Sequence, residues 1–137
     1  MDTKYRSKGH CKFLLRYHLI LVCKYRLKLM SDSNISSDIK KLSEQIAKKH
    51  NVDIWYLESD KDHIHYMIEV EPNTNLANFV KTLKSYTTYH IWKKYPNYLR
   101  KCFWKERTFW SDGYFIESIG EVSSDTLKEY IENQGKS

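Results

Sequence analysis

The chain has 137 residues, of which 41% are hydrophobic and 29% are charged, and this balance predicts one globular domain with its own core. A net charge of +6 and an aromatic content of 15% favour a nucleic-acid partner, because cations neutralise phosphates and rings stack on exposed bases. Cys11, Cys23 and Cys102 form no C-x-x-C pair. This argues against a disulfide framework or a zinc knuckle and predicts a reduced, cytoplasmic chain.

The first third of the chain predicts a strand followed by a helix. We expect residues 1–10, which are polar and basic, to form a loose arm, and residues 12–23 to form a long strand. The apolar run in this strand is too short to span a bilayer. Apolar residues then recur at helical spacing from Ser36 or Ser37, with lysines on the opposite side, until Asn51 ends the helix.

The middle third predicts a hairpin and a second helix. Residues 52–58 form one strand, residues 59–62 a tight polar connection, and a second strand runs from His63 to about Glu71. Residues 72–75 break this pattern and cap a helix, which Pro96 ends.

The last third predicts a turn between short strands and a final helix. Residues 97–107 are basic and irregular, and residues 111–113 turn between short strands around Phe109 and Phe115. A third helix follows at about 123–134. The element order predicts an α+β fold, a ferredoxin-like split β-α-β-β-α-β antiparallel sheet with helices on one face and an additional C-terminal helix, in a single domain of residues 1–137.

Two histidines in the second hairpin strand are candidate metal ligands. His63 and His65 lie on one face of this strand, roughly 7 Å apart at Cα by the rise per residue, and are close enough to share one ion. The opposite, apolar face carries Ile64, Tyr66, Ile68 and Val70, whereas Met67 and Glu69 share the more polar face with the histidines. A metal needs a further ligand, and the candidates are Asp62, Glu69, Glu129 and Gln134. A histidine pair without a metal is the alternative.

The predicted final helix carries a candidate nucleophile. Tyr130 and Gln134 are four residues apart and therefore share a helix face. A phenol is a poor nucleophile at neutral pH unless a metal or a base assists it, and the histidine pair could supply the metal. A half-buried packing tyrosine is the alternative interpretation.

Five segments that span nearly the whole chain carry a family resemblance: Tyr17-His18-Leu19 through Lys24-Tyr25-Arg26, 60–65, 81–84, 109–115 and 130–134. In their residues and their order they resemble the single-tyrosine HUH transposases of the IS200/IS605 insertion-sequence family, whose elements move as single-stranded DNA. Ile64 is the hydrophobic middle residue of the HUH motif.

The resemblance implies a site and a reaction. His63 and His65 would bind a divalent ion, Mg²⁺ or Mn²⁺, and Gln134 would complete the site. Tyr130 would attack a DNA phosphodiester, leaving a 5′-phosphotyrosine and a free 3′-hydroxyl, and strand transfer would excise and insert an element with hairpin ends. The resemblance also implies a prokaryotic, cytoplasmic homodimer in which the helix of one subunit completes the other subunit's site.

Basic residues are the candidates for contact with DNA. They are Lys24, Arg26, Lys81, Lys84 and Arg107, and a solvated basic face is the alternative for each. Residues 100–107 interleave cations with rings, which suits a hairpin or an unstacked base, although Trp104 could equally belong to the core.

Other functions stay open on the sequence alone. They are a non-catalytic nucleic-acid-binding module on a ferredoxin-like sheet, a replication-type HUH nickase, a tyrosine transposase associated with repetitive palindromes, and a plain metal-dependent nuclease.

Overall fold

The structure, a computed structural model, describes residues 5–120, which contain six strands and three α-helices. The strands are β1 Arg6–Lys8, β2 Cys11–Phe13, β3 Leu15–Val22, β4 Asp53–Asp60, β5 His63–Val70 and β6 Phe115–Ile119, and the helices are α1 Ser33–Lys49, α2 Leu76–Lys94 and α3 Pro96–Cys102. Two short 3-10 helices, Lys24–Arg26 and Leu29–Ser31, connect β3 to α1. The predicted helix at 123–134, with Tyr130 and Gln134, lies outside the described residues.

Four strands form one antiparallel sheet in the order β4-β5-β3-β6. The first and third strands of the predicted motif, β3 and β5, therefore occupy its centre. This is the strand order of a split β-α-β-β-α-β sheet, so the predicted α+β class and the ferredoxin-like arrangement are confirmed.

The main core lies between the sheet and its helices. Ile64, Tyr66 and Ile68 of β5 are fully buried and belong to one cluster with apolar residues of α1 and α2. Each such side chain contributes roughly 1.5–3 kcal/mol relative to its exposed state. The buried Tyr66 hydroxyl is 2.8 Å from Ser43 Oγ on α1, and this hydrogen bond offsets the cost of burying two polar groups. The predicted apolar face of the histidine strand is thus the core face.

The ends of the long helices follow from their caps. The Asp32 side chain accepts hydrogen bonds from the backbone N–H groups of Asn34 and Ile35, so α1 begins at Ser33 and not at the predicted Ser36 or Ser37. Asn75 caps α2 in the same way, as its position before the helix predicted.

Two other segments contain more regular structure than predicted. Residues 97–107 are not irregular throughout, because Pro96 occupies the first turn of α3, where its missing N–H costs nothing. The predicted loose arm is also wrong in part, since β1 pairs with β2 around Gly9, whose φ of 60° suits glycine. Ion pairs from Arg6 to Glu69 and from Lys8 to Glu71 hold this hairpin against the sheet.

The segment around Phe109 forms no strand, contrary to the prediction. Its backbone makes one isolated bridge, between Cys23 and Trp110, whereas the strand predicted around Phe115 is β6. Within residues 5–120, no helix combines the length and the hydropathy needed to cross a membrane.

Candidate active site

His63 and His65 project from the same face of β5, as their spacing predicted. Their ring centroids are 4.8 Å apart, and β5 lies inside the sheet, with β4 on one side and β3 on the other. A central strand is held by hydrogen bonds along both edges, so the two imidazoles stand on rigid backbone. Such rigidity favours a site that must keep its geometry.

The first imidazole is oriented by a neighbouring carboxylate. His63 Nδ1 lies 2.7 Å from Asp62 Oδ1, and Arg26 Nε donates to Asp62 Oδ2 over 3.0 Å. Burial acts to raise the pKa of Asp62, but the hydrogen bonds from His63 and Arg26 outweigh it and hold that pKa below its usual value. An ionised carboxylate only accepts hydrogen bonds, so Nδ1 of His63 is the donor in this contact, and in a neutral imidazole of this tautomer the lone pair lies on Nε2.

The second imidazole is held by another histidine. His65 Nδ1 lies 3.0 Å from Nε2 of the buried His18 on β3, and the two rings stack with centroids 5.3 Å apart. Burial lowers the pKa of His65 to about 4, and the neighbouring His63 and His18 add to this effect. The ring is therefore neutral at physiological pH, which is the form that binds metals.

One atom of this pair is unsatisfied. His65 Nε2 is buried and has no hydrogen-bond partner among residues 5–120. An unpaired buried polar atom is costly, and a metal ion is one group that would satisfy it. The residues present thus fit a metal ion as a partial ligand set, with one Nε2 from each histidine.

Residues 5–120 do not complete that set. They contain no group of three or more His, Cys, Asp or Glu side chains that could hold a metal ion. Both local candidates have other partners: Asp62 faces Nδ1 of His63, and Glu69 pairs with Arg16 over 2.7 Å and with Arg6 over 3.2 Å. The remaining candidates, Glu129 and Gln134, lie outside the described residues.

Two of the predicted DNA-binding lysines converge on the turn at 111–113. Lys24 Nζ donates to Asp112 Oδ1 over 3.0 Å, and Lys84 Nζ donates to the backbone carbonyls of Ser111 over 2.7 Å and of Asp112 over 3.0 Å. The hydrogen bond with Asp112 raises the pKa of Lys24, whereas burial lowers the pKa of Lys84. Both cations brace the turn, and Arg26 is instead paired with Asp62 beside the histidines.

Lys84 and Arg107 line one groove of about 440 Å³ between α2 and residues 107–112. Aromatic side chains form much of its wall: Arg107 lies over the Trp92 ring at 5.6 Å, and Tyr89 is exposed. Trp110 lines the same groove and donates through Nε1 to Thr87. Cations beside rings can contact both the phosphates and the bases of an unpaired strand.

The sequence predicted Lys84 and Arg107 as DNA-binding residues but not the aromatic residues Tyr89 and Trp92 of the same groove, although it contained a signal for Trp92. Lys84, Thr88 and Trp92 follow one another at intervals of four on α2, so they share a helix face and all line the groove. Lys81 lies on the same helix and lines an adjacent hollow with Tyr114. His18 beside the histidine pair was also not predicted as a site residue. Its signal in the sequence was a polar side chain inside the otherwise largely apolar strand β3.

The sequence did not decide whether Trp104 belongs to the core or to the surface, and the structure places it on the surface. It keeps 76% of its surface accessible, and Lys105 Nζ lies 4.8 Å from its ring centroid. Tyr25 is also exposed, and together with Phe103 and Trp104 it borders a hollow of about 270 Å³. The interleaved rings and cations of this segment thus face solvent at several positions.

Comparison with known proteins places this chain in a family. The family described as "Transposase IS200 like" matches residues 11–134. The transposase for insertion sequence element IS200 of Salmonella typhimurium is 26% identical over 132 residues, which cover 94% of this chain and 82% of that protein.

Solved structures share the fold of this chain. A crystal structure of a Deinococcus radiodurans protein assigned as a transposase is 26% identical, has a TM-score of 0.74 and aligns over 94% of this chain and 96% of its own. A REP-associated tyrosine transposase bound to a REP hairpin shares the fold at 8% identity, with a TM-score of 0.59 over 91% of this chain and 68% of its own. Because the family match spans nearly all of the sequence, the chain belongs to the IS200-like transposase family.

Proposed function

We propose that this transposase cuts and rejoins single-stranded DNA through a tyrosine nucleophile assisted by a divalent metal. One observation carries the proposal: His63 and His65 share a face of β5, and each has its Nδ1 engaged, by Asp62 and by His18 respectively. With Nδ1 engaged, the Nε2 atom of each ring would be the one that binds a ligand. Family membership supplies the DNA chemistry that such a pair would serve.

His63 and His65 would hold Mg²⁺ or Mn²⁺, with Gln134 as the third protein ligand. When bound, the ion would supply charge neutralisation at a non-bridging oxygen of the scissile phosphate. Imidazole is an unusual ligand for Mg²⁺, which prefers oxygen, so we expect a weak site that also uses phosphate oxygens.

Tyr130 would perform the covalent step. Its hydroxyl loses a proton, the oxygen forms a bond to phosphorus, and the bond from phosphorus to the 3′-oxygen breaks. The 3′-oxygen takes up a proton and becomes a free hydroxyl, while the 5′-phosphate stays on the tyrosine. The phosphotyrosine conserves the phosphodiester bond energy, so a 3′-hydroxyl at a new junction can reverse the attack without ATP.

The groove beside α2 would guide the DNA. Lys84 and Arg107 supply positive charge, Lys81 extends it along α2, and Trp92 and Tyr89 supply ring surface. Because a tyrosine transposase of the same fold binds a hairpin, we propose hairpin-ended single-stranded DNA as the substrate. We also propose a cytoplasmic homodimer in which the Tyr130 helix of one subunit completes the site of the other.

Trapping the covalent intermediate tests this proposal. Incubation with single-stranded element ends and Mg²⁺ should yield a protein–DNA band that survives denaturation. Tyr130→Phe should abolish the band and the cleavage but leave hairpin binding nearly unchanged, because only the nucleophilic oxygen is lost. Tyr5→Phe, which alters an exposed tyrosine at the other end of the chain, is the matched control and should behave as wild type.

The other candidate functions predict different results. A non-catalytic binding module would form no adduct with either protein, and a plain metal-dependent nuclease would cleave without trapping protein on DNA. Cleavage that persists fully in a chelator would contradict the assignment of His63, His65 and Gln134 as ligands.

A further inference from the structure

His18, a residue outside the predicted ligand set, is in direct contact with one of the proposed metal ligands. It lies on β3 opposite Met67 of β5, so it is a diagonal cross-strand neighbour of His65 on the same face of the sheet. Its Nε2 is 3.0 Å from His65 Nδ1, and the rings are within 12° of parallel. His18 is fully buried and His65 is 4% exposed, so water does not compete for this contact.

In the hydrogen bond between the two rings, one nitrogen donates its hydrogen and the other accepts it. Buried imidazoles favour the neutral form, in which each ring carries a single N–H. If His65 bears it on Nδ1, the lone pair of its Nε2 is available for a ligand. If His18 bears it on Nε2, then His65 accepts at Nδ1, carries a hydrogen on Nε2 and cannot bind a metal there.

A carboxylate on the next strand favours the first arrangement. Glu117 of β6 is paired with His18 in the sheet, and its Oε1 lies 3.9 Å from His18 Nδ1. Negative charge at this distance stabilises an N–H on Nδ1 of His18, which leaves Nε2 of that ring as the acceptor. His65 must then donate from Nδ1, and the buried Nε2 without a partner among residues 5–120 is its lone-pair nitrogen.

We propose that His18 is a positioning residue that fixes the Nδ1–H tautomer of His65 and so prepares its Nε2 to bind the metal. The inference rests on the metal site of the proposed function. In this arrangement His63 and His65 are both oriented through a hydrogen bond at Nδ1. The partners differ: Asp62 can only accept, whereas His18 accepts because Glu117 polarises it.

The experiment compares His18→Gln with His18→Leu. The amide oxygen of glutamine can accept a hydrogen bond from His65 Nδ1–H, whereas leucine fills a similar volume and can accept none. Nitrogen-15 NMR of the metal-free proteins reports the His65 tautomer, and Mn²⁺ titration followed by electron paramagnetic resonance reports metal affinity. We expect the Nδ1–H tautomer in wild type and in His18→Gln.

In His18→Leu we expect the tautomer to shift toward Nε2–H and the Mn²⁺ affinity to fall by about tenfold or more. Thermal unfolding of each protein shows whether the fold is kept, and recovery of both readouts in His18→Gln separates positioning from packing. An Nε2–H tautomer in wild type, or wild-type Mn²⁺ binding by a folded His18→Leu, overturns the inference alone. Absence of Mn²⁺ binding by wild type overturns the metal site and this inference with it.

Discussion

Asp62 connects the candidate metal site to a residue that the sequence assigned to DNA binding. Its side chain is 18% exposed and contacts His63 through one oxygen and Arg26 through the other. The sequence offered Asp62 as a possible third ligand, but in the structure its carboxylate faces Nδ1 of His63. It therefore orients a ligand, and the charge of Arg26 helps to keep it ionised.

Asp62→Asn should weaken metal binding while the fold is kept. The amide has no charge and can present either a donor or an acceptor to His63, so the Nδ1–H tautomer loses its fixed partner. We expect Mn²⁺ affinity to fall by roughly 10–100-fold, measured by titration, with cleavage falling in parallel. Asp53→Asn, which alters an exposed carboxylate on β4, is the control. Unchanged Mn²⁺ affinity in Asp62→Asn would show that His63 needs no partner.

At the scale of elements, side-chain contacts join α1 to the end of α2, in addition to the apolar core that the two helices share. Asp38 on α1 accepts a hydrogen bond from the Tyr95 hydroxyl at 2.5 Å and pairs with Lys94 at 2.9 Å, where α2 ends. The hydrogen bond from Tyr95, together with Lys94, holds the pKa of Asp38 below its usual value. This contact joins residues that are 57 positions apart in the sequence.

Asp38→Asn should lower the free energy of unfolding by about 1–2 kcal/mol at neutral pH. The amide oxygen can still accept the hydrogen bond from Tyr95, but the charge that strengthens this bond and pairs with Lys94 is lost. The pKa is lower in the folded state, so the stabilisation is present above the unfolded pKa and is lost as pH falls through the folded pKa. Urea unfolding at neutral and acid pH should therefore show the two proteins converging in acid.

Tyr95→Phe removes the other partner of the same hydrogen bond. The double variant should cost less than the two single changes together, since neighbouring residues that share one contact are not additive. A stability difference that does not depend on pH would mean that the carboxylate charge contributes nothing.

At the scale of the whole molecule, the net charge is +6, but several basic side chains already have partners within the protein. Lys24 and Arg26 are each paired with an aspartate, and Lys84 binds the carbonyls of the 111–113 turn. Arg107 is exposed and lies over a ring at the groove. Arg107 is thus well placed to contact phosphate.

Arg107→Ala should weaken hairpin binding, because one phosphate contact is lost. The slope of log Kd against log salt concentration should fall by about one, because the counterion release of that contact is lost with it. Fluorescence anisotropy over a range of salt concentrations measures both quantities. Lys48→Ala, an exposed lysine on α1 away from the groove, should change the slope little. Equal slopes for the two variants would place the DNA elsewhere.

The sequence alone determined the features that depend on local periodicity. Alternation along a strand places His63 and His65 on one face and Ile64 and Tyr66 in the core, and both predictions are confirmed. The order of strands and helices likewise predicted the sheet. The roles of Tyr130 and Gln134 stay predictions, since both lie outside the described residues.

Only the tertiary structure decided which distant residues meet. His18 contacts His65 because β3 pairs with β5 in one register, and the residues are 47 positions apart. The groove of Lys84 and Arg107 likewise needs residues 107–112 to pack on α2. Periodicity is a property of neighbouring residues, whereas strand register and helix packing follow from the burial of the whole core, so no local pattern could predict these contacts.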